Sequence, residues 1–140
     1  MAKIIGTYKL EKNENLDAFY TAAGVPWIAR KMMLVSSPTI DVTQEKNENE
    51  EDVWLIKTVS FIRTINLSFK LDEPFEDVLP SGDVFETVAR MEGDNKFILD
   101  STREDTSFIR EYDFSEDGLV MTMKHPTGVE AKRYFKRVTA

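Results

Sequence analysis

Across residues 38–138 the chain repeats one pattern: apolar and polar side chains alternate for a few positions, and a turn then cuts the run off. Ile65, Leu67, Phe69 and Leu71 give the cleanest case, each separated from the next by a polar residue. Successive side chains of a strand face opposite sides of a sheet, so this period of two marks strands with one buried face. Such runs cover residues 39–44, 53–59, 63–71, 75–77, 84–91, 96–101, 108–112, 119–123 and 129–138, and another lies at 6–11. Turn chemistry separates them, as in Pro80–Ser81–Gly82–Asp83, Glu92–Gly93–Asp94–Asn95 and Pro126–Thr127–Gly128. About ten strands at a spacing of 8–12 residues predict an all-β sandwich or a closed up-and-down barrel.

The one helical region lies at 16–35. Asn15 reads as an N-cap for a helix over 16–23, with Asp17 in the first turn and Gly24 as its C-cap. Pro26 then suits the first turn of a second helix, whose apolar positions are Trp27, Ile28, Met32 and Leu34 or Val35. The acidic stretch 45–52 is expected as a solvated hairpin tip, since it lacks the spaced ligands and central glycine of a calcium loop.

The 140 residues fit one domain, 1–140, and 41% hydrophobic content is enough to build a core. A net charge of −7 argues against a phosphate-binding footprint, hence against nucleic acid as a partner. With no cysteine, disulfides and thiolate chemistry are excluded. No apolar run reaches the roughly 20 residues a spanning helix needs, and Met1–Ala2–Lys3–Ile4–Ile5–Gly6 turns polar too soon for a signal peptide. A cytoplasmic protein is expected. His125, the only histidine, sits in a turn beside Pro126 and reads as exposed. No Ser-His-Asp set, metal cluster, P-loop or dinucleotide loop occurs, so neither an enzyme nor a cofactor is expected.

The last two hairpins hold the candidate chemistry. Arg110 shares a strand face with Phe108 and Tyr112, and Arg133 shares one with Val129, Ala131 and Phe135. Glu130, Lys132, Tyr134 and Lys136 take the opposite, solvent-facing side of the last strand. Each apolar face therefore carries an arginine. A guanidinium there is costly unless an anion meets it. That anion is an internal Asp or Glu, or the carboxylate of a guest, unless the side chains reach water.

In order along the chain, Gly6–Thr7–Tyr8–Lys9–Leu10, Asn15–Leu16–Asp17, Gly24–Val25, Arg30–Lys31–Met32, Pro38–Thr39–Ile40, Ser68–Phe69–Lys70–Leu71, Phe75–Glu76 and Arg133–Tyr134–Phe135–Lys136–Arg137 resemble the intracellular fatty-acid-binding proteins. The wider group includes the cellular retinoid-binding proteins. The resemblance implies a ten-stranded antiparallel up-and-down barrel, capped by a helix-turn-helix lid at about 16–35, with one lipid inside. In many members two arginines and a tyrosine grip the lipid carboxylate. Arg110 and Arg133 match the arginines, whereas Phe135 replaces the tyrosine; Tyr112 is a candidate for the missing hydroxyl. Leu16 replaces a usual aromatic, Ile62 a portal phenylalanine and Asp83 a frequent arginine, and an insertion near Phe114–Ser115–Glu116 lengthens one turn.

Residues expected to line the cavity, besides Arg110, Arg133 and Phe135, are Phe19, Met32, Ile40, Ile62, Phe108, Met121 and Met123. The expected function is non-enzymatic transport of a long-chain fatty acid or similar hydrophobic carboxylate by a monomer. Two rivals are a retinoic acid carrier of the same fold and a structural membrane-associated protein; the charge of −7 speaks against the latter. Arg30 and Lys31 on the second helix suggest transient membrane contact, and in the family such a basic patch also forms a nuclear-import signal.

Overall fold

A computed structural model describes residues 4–61, 63–78, 83–104 and 106–138. Twelve elements follow one another: β1 (Gly6–Glu14), α1 (Leu16–Ala22), α2 (Trp27–Val35), β2 (Thr39–Lys46), β3 (Asp52–Val59), β4 (Thr64–Phe69), β5 (Pro74–Val78), β6 (Val84–Glu92), β7 (Lys96–Arg103), β8 (Thr106–Phe114), β9 (Gly118–Lys124) and β10 (Glu130–Val138). All ten strands form one antiparallel sheet in the order β4-β3-β2-β1-β10-β9-β8-β7-β6-β5. Every neighbour is a sequence neighbour except β1 and β10, whose pairing rolls the sheet into a barrel. β4 and β5 share no ladder; Phe69 and Phe75 stack across that seam at 5.4 Å. The architecture is the expected all-β barrel with a two-helix lid.

Alternation sets which side chains enter the barrel. Along β8, Phe108, Arg110, Tyr112 and Phe114 are buried; along β10, Ala131 and Phe135 are buried while Glu130, Lys132 and Lys136 are exposed. A β-bulge in β1 changes this parity: Leu10 pairs with Phe135, but Lys12 pairs with Tyr134 and Asn13 with Arg133. The extra residue, Glu11, re-aims Asn13 into the barrel. Asn13 therefore belongs to a strand that continues to Glu14, beyond the run 6–11 that alternation marks.

One half of the interior is solid. Trp54, Phe69, Phe97, Phe114 and Tyr8 meet ring to ring at 5.0–5.7 Å. At the other end lies the lid. α1 ends in a Schellman arrangement: Gly24 at φ 81° lets its N–H reach Thr21 O at 3.1 Å, and the Val25 N–H reaches Tyr20 O at 3.0 Å. Asn15 is not the side-chain cap that the sequence suggests. It adopts a left-handed conformation (φ 58°) and its Nδ2 donates to Glu130 O at 2.8 Å, tying the lid to β10.

The two lid helices are held very differently. α1 buries Leu16 and Phe19, a contribution of about 1.5–3 kcal/mol each. α2 buries no residue. Trp27 is 61% exposed, Ile28 69% and Val35 72%, which corrects their expected inward placement. Ala29 and Met33 take the inward side instead, with Leu34, the expected alternative to Val35: α2 is apolar on both sides, so periodicity alone cannot choose between them.

Gly118 starts β9 against β10, where a Cβ would overlap the Phe135 carbonyl oxygen. That oxygen belongs to a ladder and cannot swing away. Gly118→Ala should cost about 1–3 kcal/mol, read as a fall in thermal midpoint with the β-sheet circular dichroism intact.

Candidate functional site

Under the lid, β2–β6, β8–β10, α1 and Met33 of α2 enclose a cavity of about 140 Å³, and an adjoining mouth of about 180 Å³ opens between α2 and the β3–β4 turn. Phe19, Ile40, Phe108, Met121, Met123, Phe135, Arg110 and Arg133 all line the cavity. Met32 does not: it is 43% exposed and lines only the mouth, while Met33 lines both. Ile62 lies outside the described residues.

The register shows how the two arginines relate. Tyr112, Met121 and Arg133 lie in one row across β8, β9 and β10, and Arg110, Met123 and Ala131 lie in the next inward-facing row. Arg110 and Arg133 are thus two strands and one row apart, within reach of a common guest through their long side chains. Tyr112 stands two strands from Arg133 in the same row.

Their partners differ. Arg110 Nη2 makes a short ion pair with Asp77 Oδ2 and donates to Ser101 Oγ at 3.2 Å. Thr87 Oγ1 contacts Ser101 Oγ at 2.7 Å and donates to Asp77 Oδ2 at 3.3 Å. This gives an unbroken donor chain: Arg110 to Ser101, Ser101 to Thr87, Thr87 to Asp77. Asp77 is 1% exposed, and Thr87 and Ser101 are fully buried. The anion that meets Arg110 is therefore an internal aspartate. Arg133 has no acid beside it among the described ion pairs; its Nε donates to Asn13 Oδ1 at 2.8 Å. Two buried guanidinium nitrogens, Arg110 Nε and Arg133 Nη2, have no hydrogen-bond partner among the described residues.

Tyrosines surround the pair. Burial pushes the Tyr20 hydroxyl above its ordinary value, against the opposing pull of Arg133 and Arg110. Burial also raises Tyr112, with Arg110 pulling it down, Asp77 and Tyr20 adding to the rise, and Arg133 opposing it. Both phenols are consequently neutral near pH 7, so Arg110, Asp77 and Arg133 set the charge of the cavity centre, and it sums to one positive. At the rim, Asp83 pairs with Arg103 at 3.4 Å.

Several of these groups escaped the sequence reading. Asp77 sits in a short β5 run with Glu76 beside it, and nothing local marks it as the buried one. Asn13 enters through the bulge. His125, expected to be exposed, is half-buried and lines the cavity, edge-on to Phe19 at 6.2 Å, with Nδ1 against Thr127 Oγ1 at 2.9 Å. Arg30 is not a solvated cation: it pairs with Asp17 at 3.1 Å and donates to Val25 O at 2.9 Å.

Residues 5–123 match the Lipocalin / cytosolic fatty-acid binding protein family. The chain belongs to this family. It is 36% identical over 138 residues to a fatty acid-binding protein of Tyrophagus putrescentiae, covering 98% of this chain and 99% of that one. It is 30% identical over 131 residues to cellular retinoic acid-binding protein 2 of Rattus norvegicus, covering 88% and 90%. Among solved structures, the fatty acid-binding protein of Drosophila melanogaster brain tissue superposes with a TM-score of 0.85 at 28% identity, covering 96% of this chain and 99% of that one. Phe135 is 3% exposed and its ring lies 5.8 Å from the Arg133 guanidinium.

The raised phenols make a test of the cavity's dryness. As pH climbs through about 10 the unfolded chain loses phenolic protons that the folded chain retains, so stability is full below that pH and declines above it. Thermal melts between pH 8 and pH 11 should show the decline, and Tyr112→Phe should make it shallower.

Proposed function

We propose that this protein is a non-enzymatic, monomeric, cytosolic carrier of one long-chain fatty acid, held with its carboxylate between Arg133 and Arg110. The observation that carries this reading is the pair of buried, unpartnered donors, Arg133 Nη2 and Arg110 Nε, beside a single uncompensated positive charge. A carboxylate has two oxygens and one negative charge, so it supplies what both donors lack and brings the cavity to neutrality. The Tyr112 and Tyr20 side chains line the same cavity and are the candidates to act in place of the hydroxyl missing at Phe135.

The tail supplies most of the affinity. At about 0.8 kcal/mol per buried CH₂, about fifteen of them contribute about 12 kcal/mol before ordering costs are subtracted. The arginines orient the guest more than they tighten it. Retinoic acid offers the same head group and is the second reading, supported by the name of the rat relative. Competition between oleate and retinoic acid separates the two.

Arg133→Gln should weaken fatty-acid binding about ten- to a hundredfold, the worth of a hydrogen bond to a charged group. Binding of the matching fatty alcohol should hardly change, and an equal loss for acid and alcohol would place the head group elsewhere. Arg110→Gln acts differently: it strands Asp77 buried without its partner, so it should cost about 3–5 kcal/mol of stability.

Membrane contact belongs to the same reading. Trp27, Ile28 and Val35 on α2 are joined in exposure by Phe61 of the β3–β4 turn, 68% exposed, around the mouth. Lys31 lies over the Trp27 ring at 5.6 Å, while Arg30 is already engaged. The contact surface is therefore more apolar than basic, which also removes one cation from the nuclear-import patch. A Trp27→Ala, Phe61→Ser double variant should slow fatty-acid transfer to vesicles and leave equilibrium affinity unchanged, as stopped-flow transfer and titration would show.

A further inference from the structure

We propose that Asp77 sets the charge of the guest at one: it makes the cavity select singly charged lipid head groups and turn away doubly charged ones such as alkyl phosphates. This rests on the carboxylate reading above and adds the residue that decides selectivity.

The argument starts from what Asp77 does to Arg110. A guanidinium can present two parallel N–H groups to an anion as a fork. In this cavity, Arg110 Nη2 is committed to Asp77 and to Ser101, and Nε is the nitrogen left without a partner. With Nη2 taken up, Arg110 cannot present a fork that uses that nitrogen, and once paired it brings a guest no net charge. Arg133 has no acid beside it among the described ion pairs and supplies the one uncompensated charge.

A phosphate monoester brings a third oxygen and, well above its second ionisation near pH 6, a second negative charge. That second charge would face Asp77, which is 1% exposed and locked in place by Thr87. Little solvent is available to screen like charges at this depth, so the repulsion is large compared with the same pair at a surface. Tyr20 and Tyr112 are neutral and cannot offset it, and the rim acid Asp83 is matched by Arg103. Without Asp77 the centre would carry two positive charges and the full Arg110 fork, which suits a dianion.

The test compares two tetrahedral phosphate head groups of unequal charge. Hexadecyl phosphate and its methyl diester carry about two and one negative charges at pH 8.5. Wild-type protein should bind the diester about tenfold or more tightly than the monoester. Asp77→Asn should shrink or reverse that ratio, with hexadecanol affinity reporting that the cavity is intact. Equal affinities in the wild type, or an unchanged ratio in a folded Asp77→Asn variant, would overturn the proposal. If Asp77→Asn does not fold, the wild-type ratio decides alone. Palmitate titrations of wild type and Arg133→Gln separate the two claims: loss of the Arg133 dependence defeats the carrier reading, whereas an unchanged phosphate ratio with that dependence intact defeats only the role of Asp77.

Discussion

The placing of positive charge inside a hollow, mostly apolar barrel constrains this molecule more than any other feature. An arginine on an inward strand position is tolerable only where an anion or a set of acceptors meets it. Here the two arginines meet that requirement differently. Arg110 is neutralised by Asp77 and bound into a hydroxyl chain through Ser101 and Thr87. Among the described residues, Arg133 donates to a neutral amide, Asn13, and lies over the Phe135 ring, with no acid beside it. The first pair is a structural element that happens to border the cavity; the second arginine is what gives the cavity its sign. In the proposed reading a guest acid restores neutrality without disturbing the internal pair.

The rest of the fold arranges access to that charge. The aromatic plug around Phe97 fills one half of the barrel, so the polar groups and the open volume fall in the other half. The lid closes that half unevenly: α1 is anchored by Phe19, Leu16 and the Asn15 bond to β10, whereas α2 rests on the mouth without a buried side chain. Elements with few buried apolar contacts lie at the low-stability end of a structure, which places the entrance at α2 and the β3–β4 turn. The apolar residues that α2 turns outward lie on the same edge of the molecule as the mouth, and this is the surface proposed above to meet a bilayer.

Much of this was legible in the residues. Alternation along β8 and β10 correctly put Arg110, Arg133, Phe108 and Phe135 on the inner face, and the ordered family signature pointed to the barrel and its lid. Alternation failed in β1, where one extra residue reversed the parity and brought Asn13 inward. Periodicity failed in α2, where both faces are apolar and the larger side chains face outward. His125 was misplaced because a turn residue carries no local sign of what the lid will lay against it.

By itself, the sequence determined the number and order of the strands, the helical interruption after β1, and the face on which most side chains of each strand lie. Those are properties of the local backbone, because a period of two needs only neighbouring residues to be expressed. Tertiary structure alone decided the partners: that Asp77, thirty-three positions from Arg110, is its counter-ion, and that Arg133 meets an amide across 120 positions. Such pairings depend on register and on closure of the sheet, which every strand between them helps to set. The charge of the cavity, unlike its hydrophobicity, is therefore a sum that can be taken only after the barrel has closed.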